Sequence, residues 1–158
     1  MAAVDLDEFT VWDWRGTDFT FLGDQPRLRR LKVEATRQLV SLDGLQRCPR
    51  LEYVELLDLR AKDLAPLAQA SRLQHLWIIG DYRITGEATL NLADLAHLPE
   101  LTEIRICYGG AIATLAPLTG SMGYRLRDFR IRGTRVRDGD LSPLQSMGQA
   151  ADVLGPND

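Results

Sequence analysis

Cysteine and long apolar runs are scarce in this chain of 158 residues, and each scarcity excludes a class of protein. The two cysteines, Cys48 and Cys107, are widely separated, so we expect neither a disulfide framework nor a zinc site. No apolar run reaches the roughly 20 residues that a membrane-spanning helix needs. The opening MAAVDLDEF lacks the basic and apolar regions of a signal peptide. We therefore predict a cytoplasmic protein with no membrane partner.

Positive charge is not in excess either. The net charge is −3 at pH 7, which provides no general attraction to nucleic acid or to an anionic membrane. Lysine occurs only at Lys32 and Lys62, and nearly all basic residues are arginine. A GC-rich coding bias explains this preference more simply than phosphate recognition does, so nucleic acid is not the expected partner.

Motifs for catalysis and phosphate binding are also missing. His75 and His97 have no Cys or acidic residue at a zinc-ligand spacing, and TGSMG at 119–123 departs from the G-x-S-x-G of a nucleophile elbow. YGGAIA lacks the Gly-Lys-Ser/Thr of a phosphate loop. Cys107 near Arg105 has the alternative of a thiol with a lowered pKa, although a hydrophobic filler fits the position better. We predict no enzyme activity, no cofactor and no bound metal.

Leucine, by contrast, recurs in a regular pattern. Six segments read Leu-x-x-apolar-x-apolar, and their starts are 22, 23, 22, 28 and 25 residues apart. A second leucine-rich segment, such as LAPLAQAS, follows in each of the last five copies. The pattern predicts a repeated structural unit, and its copies begin at Leu6, Leu28, Leu51, Leu73, Leu101 and Leu126.

Each copy has the periodicities of a strand followed by a helical turn. Apolar-x-apolar directs its side chains to one face of a short strand, and Leu-x-x-Leu directs its leucines back toward that strand. One such unit cannot close a core alone. When units stack, their leucines form a continuous interior between parallel strands and helical turns.

The six copies resemble the leucine-rich repeat family over residues 6–147, with short, internalin-like bacterial repeats. The resemblance implies an α/β leucine-rich repeat solenoid of about six repeats. A curved parallel β-sheet lies on the concave side, and short helical or 3-10 turns lie on the convex side. We expect a single domain over residues 1–158, with residues 1–27 as an N-terminal repeat or a hairpin cap. Residues 28–147 are the repeats, and 148–158 are a C-terminal cap, containing a short closing helix, and a tail.

One feature departs from the family pattern. The family usually has Asn three residues after the second apolar strand residue, where it bonds the backbone of the turn. We therefore expect an irregular row of turns, since the equivalent positions here hold Trp14, Thr36, Leu59, Asp81, Gly109 and Thr134.

The residues between the inward apolar positions form three columns across the concave face, with neighbours about 4.8 Å apart. The first column is Glu8, Arg30, Tyr53, His75, Glu103 and Asp128. The second is Thr10, Lys32, Glu55, Trp77, Arg105 and Arg130. The third is Trp12, Glu34, Leu57, Ile79, Cys107 and Arg132.

An aromatic and aliphatic centre with a charged rim is the composition expected of a protein interface. We predict a non-catalytic module that binds another protein through this face, with an inhibitor or immunity protein of a cognate enzyme or toxin as one case. The predicted contact residues are Tyr53, Glu55, Leu57, His75, Trp77, Ile79, Arg105, Cys107, Tyr108, Arg130 and Arg132.

The sequence is also compatible with several alternatives. Self-association, or the long turn GDYRITGEATLN folding back, would also cover Trp77 and Ile79. Arg105 and Arg130 are adjacent like charges, which an acidic partner would relieve, although acidic residues on the same face also offer pairing. The alternative functions are a recognition or regulatory fragment of a larger signalling assembly and an arginine-mediated nucleic-acid binder.

Overall fold

The computed structural model describes residues 6–35, 39–58, 63–80, 89–107 and 111–154. Seven strands within these ranges form one parallel sheet in the order β1-β2-β3-β4-β6-β8-β10. Three two-residue strands form a second parallel sheet in the order β5-β7-β9. The strands are β1 Glu8–Trp14, β2 Arg30–Ala35, β3 Tyr53–Leu57, β4 His75–Ile79, β5 Thr89–Leu90, β6 Glu103–Cys107, β7 Ala111–Ile112, β8 Asp128–Arg132, β9 Arg135–Val136 and β10 Ala151–Leu154.

Short helical turns return the chain from one strand of the large sheet to the next. Three of the 3-10 turns have a proline in their first positions, at Pro66, Pro117 and Pro143, where a missing backbone N–H is tolerated. The 3-10 turns are Thr20–Leu22, Leu45–Arg47, Ala65–Gln69, Leu92–Leu95, Ala116–Thr119 and Ser142–Ala150, and one α-helical turn, α1, spans Ser121–Arg125. No helix in the described part of the chain has the length and apolarity to cross a membrane.

The core lies between the large sheet and these turns. The leucines that begin the central copies, including Leu51, Leu73 and Leu101, are fully buried. Inward strand residues such as Leu76 and Ile78 meet leucines from the turns in the same cluster. Each such side chain contributes about 1.5–3 kcal/mol by leaving water, so the repeated leucine pattern stabilises the stack along its whole length.

A row of polar side chains, which the sequence pattern did not reveal, lies at the entry to each 3-10 turn of the described ranges. In each repeat a side-chain oxygen accepts a hydrogen bond from the backbone N–H two residues later, at 2.8–3.1 Å. Such bonds satisfy turn amides that have no backbone partner. The accepting residues are Asp18, Ser41, Asp63, Asn91, Thr114 and Asp140.

At one of the turn positions where the resemblance expects Asn, Thr134 makes the contact with the backbone. Thr134 is buried, and its hydroxyl lies 3.4 Å from the carbonyl oxygen of Ile106 and 3.3 Å from that of Arg132. It therefore bonds the turn backbone, which is the role that the resemblance gives to Asn at this position. Thr36, Leu59, Asp81 and Gly109 lie outside the described residues.

The N-terminal copy is built as a strand and a turn. β1 pairs parallel with β2, and Thr20–Leu22 is a 3-10 turn, so the described part of this segment has no second antiparallel strand of a hairpin. The register shifts between Val11 and Trp14. Asp13 adopts a φ of 57° at this irregularity. The predicted pairing of Trp12 with Glu34 in the third column is therefore wrong, because Trp12 falls within this irregularity and is not in register with Glu34.

The C-terminal segment is also different from the prediction. The expected closing helix is wrong for Ala151–Leu154, which forms β10 and pairs parallel with β8. Gly148, with φ 57° and ψ −127°, interrupts the preceding turn and redirects the chain into the sheet. β10 therefore covers the edge that β8 would otherwise expose, and it adds a seventh strand to the six expected.

Candidate protein-binding face

The sheet register brings the predicted contact residues together on one face. Tyr53 pairs with His75, Glu55 with Trp77, and Leu57 with Ile79 across β3 and β4. β6 and β8 continue the same three columns. Every predicted contact residue except Tyr108 therefore lies in these columns, and Tyr108 falls outside the described residues.

Trp77 lies at the centre of this face and is half-buried. Its ring meets that of Tyr53 edge-on, with centroids 5.5 Å apart and an interplanar angle of 62°. The guanidinium carbon of Arg105 lies 4.4 Å from the centroid of the Trp77 ring, which is a cation–π contact. Neighbours on both adjacent strands thus fix the indole while part of it stays accessible.

Glu103 organises the side chains around Trp77. Its Oε1 accepts a 2.6 Å hydrogen bond from Trp77 Nε1 and lies 2.8 Å from Arg105 Nε. Its Oε2 lies 3.1 Å from Nδ1 of His75. The Glu103 side chain is only 15% exposed. Sequence reasoning placed Glu103 in the first column but missed this role, although its position opposite His75 and diagonal to Trp77 was a usable signal.

Asp128 joins the two adjacent arginines. Its Oδ2 accepts a hydrogen bond from Arg105 Nη2 at 2.8 Å, and its Oδ1 accepts one from Arg130 Nε at 2.8 Å. Partial burial acts to raise the pKa of Asp128, but hydrogen bonds from Arg130 and Arg105 outweigh it and hold the pKa below its usual value. The ion pairs that the sequence allows on this face, Glu103 with Arg105 and Asp128 with Arg130, are therefore formed. Asp128 thus offsets the repulsion between Arg105 and Arg130 within the face, and binding of an acidic partner there stays a prediction.

Glu55 joins the second column to the first. Tyr53 donates its hydroxyl to Glu55 Oε2 at 2.8 Å, and Lys32 Nζ lies 2.9 Å from Oε1. Glu55 is 7% exposed, so its carboxylate is engaged within the face. Desolvation, and then the bond to Glu55, raise the pKa of Tyr53 far above its usual range. Lys32 also lies 5.3 Å from the centroid of the Trp12 ring.

Cys107 behaves as a small apolar residue. Burial raises the pKa of its thiol, against the smaller opposing effects of Arg132, Arg105 and Arg130. The alternative of a reactive thiol with a lowered pKa is therefore wrong. Cys48 is fully buried in the core, and burial raises its pKa to about 11.

The described residues offer little that is typical of catalysis. No group of three or more His, Cys, Asp and Glu side chains among them has an arrangement that holds a metal. His97 is exposed on the convex side, where its Nε2 lies 3.2 Å from the carbonyl oxygen of Ala68. His75 lies in β4 on the concave face, so the two histidines are on different sides of the fold. A cavity of about 310 Å³ beside Arg29 and Glu52 is open, and these two side chains pair with each other through two 2.9 Å bonds.

Two aromatic residues outside the predicted contact set are highly exposed. Trp12 at the N-terminal end of the sheet is 60% exposed, and Tyr124 on the convex side is 84% exposed. Trp12 is not among the predicted contact residues. Single exposed aromatic residues are ordinary on protein surfaces, so Tyr124 serves best as a control position.

Comparison with known proteins agrees with this architecture. No protein-family model matches the chain, and no curated protein matches its sequence. Among solved structures, an internalin C2 from Listeria monocytogenes str. 4b F2365 superimposes with a TM-score of 0.52 at 16% identity, covering 92% of this chain and 72% of that chain. The chain has the leucine-rich repeat fold. The parallel sheet and the convex turns confirm the predicted fold class.

Proposed function

We propose that this leucine-rich repeat protein is a non-catalytic module that binds another protein through its concave face. The observation that carries the proposal is Trp77, a half-buried aromatic residue held in one geometry at the middle of the sheet by Glu103 and Arg105. Tryptophan and arginine are the residues that most often dominate binding energy. Because these side chains are already ordered, a partner docks with little loss of conformational entropy.

The surroundings of Trp77 support a protein partner. The third column presents Leu57, Ile79 and Cys107, each partly exposed, beside the aromatic residues. Arg130 and Arg132 at the C-terminal side of the face are exposed. An apolar centre with a polar, arginine-containing rim is the usual anatomy of a specific interface.

An inhibitor or immunity protein that neutralises a cognate enzyme or toxin in a bacterial cytoplasm is the specific role that we favour. Such a role needs a rigid, preformed surface, and the bonded side chains of the face meet that need. The alternative is that the chain is a recognition or regulatory fragment of a larger signalling assembly. Both roles use the same face, so the first experiment concerns the face itself.

The test compares partner capture by immobilised wild-type protein, Trp77→Ala and Tyr124→Ala from a lysate of the source organism. Trp77→Ala should weaken binding of the captured partner by on the order of 30-fold, measured by calorimetry, as expected when a central aromatic contact is removed. Tyr124→Ala, on the opposite side of the sheet, should leave the affinity unchanged.

Folding and self-association are controlled in the same experiment. Cooperative thermal unfolding of Trp77→Ala shows that its loss of binding is local, and Trp77→Phe, which keeps an aromatic ring but not the bond to Glu103, should retain more affinity. Unchanged affinity in a folded Trp77→Ala protein would contradict the proposal. Size in solution shows whether the face is instead covered by a second copy.

Salt dependence separates this function from nucleic-acid binding, for which the candidate residues are Arg105, Arg130, Arg132, Arg135 and Arg137. Binding to phosphates falls steeply with rising salt because counterions are released. An aromatic-centred protein contact should lose little affinity between about 50 and 200 mM salt. Arg105 is already bonded to Glu103 and Asp128, which reduces the positive charge available on this side of the face.

A further inference from the structure

The third column of the concave face is chemically distinct from the other two. Its register is continuous, because Glu34 pairs with Leu57, Leu57 with Ile79, Ile79 with Cys107, and Cys107 with Arg132. We call these five residues the end-charged row. It reads acid, three apolar residues, base, and it spans about 19 Å at the usual strand spacing.

The other two columns are bonded internally, whereas the end-charged row is not. Glu103 and Asp128 in the first column and Lys32 and Glu55 in the second are engaged in hydrogen bonds or ion pairs. Within the described chain, neither Glu34 nor Arg132 makes a hydrogen bond or an ion pair. The row thus ends in one available negative and one available positive charge.

Charge complementarity therefore defines what fits the row. A partner that buries the three apolar side chains needs its own apolar residues in the middle, a basic residue near Glu34 and an acidic residue near Arg132. A partner with both charges reversed meets like charges at each end, which is unfavourable. The row therefore selects the direction in which the partner's segment runs as well as the residues that it contains.

The spacing of the row matches one turn of an α-helix better than alternate residues of a strand. Neighbouring strands are about 4.8 Å apart, a helix rises about 5.4 Å per turn, and alternate residues of an extended chain are about 6.6 Å apart. A helix of roughly 13 residues covers about 19 Å. Its apolar stripe at i, i+4 and i+7 meets Cys107, Ile79 and Leu57, in that order.

We infer that the partner presents an amphipathic α-helix to the end-charged row, with an acidic residue in its first turn at Arg132 and a basic residue in its last turn at Glu34. This inference rests on the proposed protein-binding function and specifies the partner's chemistry. The charge order also suits the dipole of the helix itself.

A second copy of this chain is a poor match for the row. The longest helical segment in the described ranges is the 3-10 segment Ser142–Ala150, which Gly148 interrupts, and α1 has five residues. Neither offers three turns of amphipathic α-helix. The occupant is therefore expected to be a different protein.

The test uses a displayed library of 16-residue alanine-based helical peptides that are randomised along one face. Selection on the wild-type protein should enrich peptides with an acidic first turn, an apolar middle and a basic last turn. Arg132→Glu should weaken the selected peptides on the order of tenfold, the loss expected for reversing one charged contact at the rim of an interface. The double variant Glu34→Arg/Arg132→Glu should select the reversed charge order.

Cys107 provides a readout of where the peptide binds. Cys48 is fully buried and Cys107 is partly exposed, so N-ethylmaleimide should label Cys107 preferentially. A selected peptide should slow that labelling on the wild-type protein and on Tyr124→Ala, the control variant. On Leu57→Asp it should not, because a charge then lies in the apolar part of the row.

The outcomes separate this inference from the broader proposal. Selected peptides with no charge order, or peptides that leave Cys107 labelling unchanged, overturn the end-charged row as a helix site. A library that yields no binders also overturns it. So does a wild-type dimer in solution that the Leu57→Asp substitution dissociates. Loss of lysate partner capture by Trp77→Ala stands apart from these results, so the row can fail while the concave-face function holds.

Discussion

Replacing Glu103 with alanine should loosen the centre of the concave face and lower the stability of the whole protein. Its carboxylate lies within hydrogen-bonding distance of Trp77, His75 and Arg105, at 2.6, 3.1 and 2.8 Å. Hydrogen bonds to a charged group contribute about 1.5–3 kcal/mol each. The loss in Glu103→Ala is smaller than the sum of these three contributions, because some of the donors find another acceptor when the carboxylate is removed.

The three bonds carry different weight. His75 is 38% exposed and can bond to water, and Arg105 keeps its bonds to Asp128. Trp77 Nε1 loses its acceptor on a half-buried ring. Counting mainly the bond from Trp77, we expect Glu103→Ala to lower the free energy of unfolding by about 2 kcal/mol. For a protein of this size the melting temperature should fall by roughly 4–8 °C.

The assay is urea unfolding of wild type, Glu103→Ala, Glu103→Gln and Glu100→Ala. Glutamine keeps an oxygen for the Trp77 N–H but not the charge, so about half of the loss is expected. Glu100 is an exposed carboxylate that accepts a 3.3 Å hydrogen bond from Gln74 Nε2, and its removal should change stability by less than about 0.5 kcal/mol.

An NMR readout tests the local geometry independently of stability. The protein has three tryptophans, so three indole N–H signals are expected, and Trp77→Phe identifies one of them. In Glu103→Ala that signal should move upfield and exchange faster with solvent. An unmoved signal together with a stability loss below about 0.5 kcal/mol would refute the role given to Glu103.

The fold was predictable because its leucine periodicities report backbone geometry directly. The spacing of Leu73, Leu76 and Ile78 implies which side of a strand faces the core, and all three are buried as expected. The turn caps were not predictable in the same way. Asp18 and Thr114 are chemically different, yet each accepts the same backbone hydrogen bond, so a comparison of residue identities does not reveal the row.

The site was only partly predictable because a register gives neighbours but not rotamers. Placing Trp77 beside Arg105 followed from the repeat alignment, whereas the bond from the Trp77 ring to Glu103 depends on side-chain direction. β10 was missed since ADVL lacks the leading leucine of the earlier copies. Trp12 was misplaced because a strand irregularity has no signature in an apolar-x-apolar pattern.

Two further measurements test the charge network and the strand register. The pKa of Asp128 is held below 3.8, so its stabilisation is fully present above about pH 4 and is lost as pH falls through the lower folded-state value. In urea unfolding, Asp128→Asn should be less stable than wild type by about 1 kcal/mol at pH 7, after allowance for solvent screening. That gap should close toward about pH 2, and a gap independent of pH would contradict the assignment. Ile78 is 1% exposed and its neighbour Ile79 lies on the concave face, so Ile78→Ala should lower the free energy of unfolding by about 3 kcal/mol and Ile79→Ala by less than about 1 kcal/mol. Equal losses at the two positions would mean that Ile79 is packed like a core residue, and the end-charged row would then have no apolar centre to offer a partner.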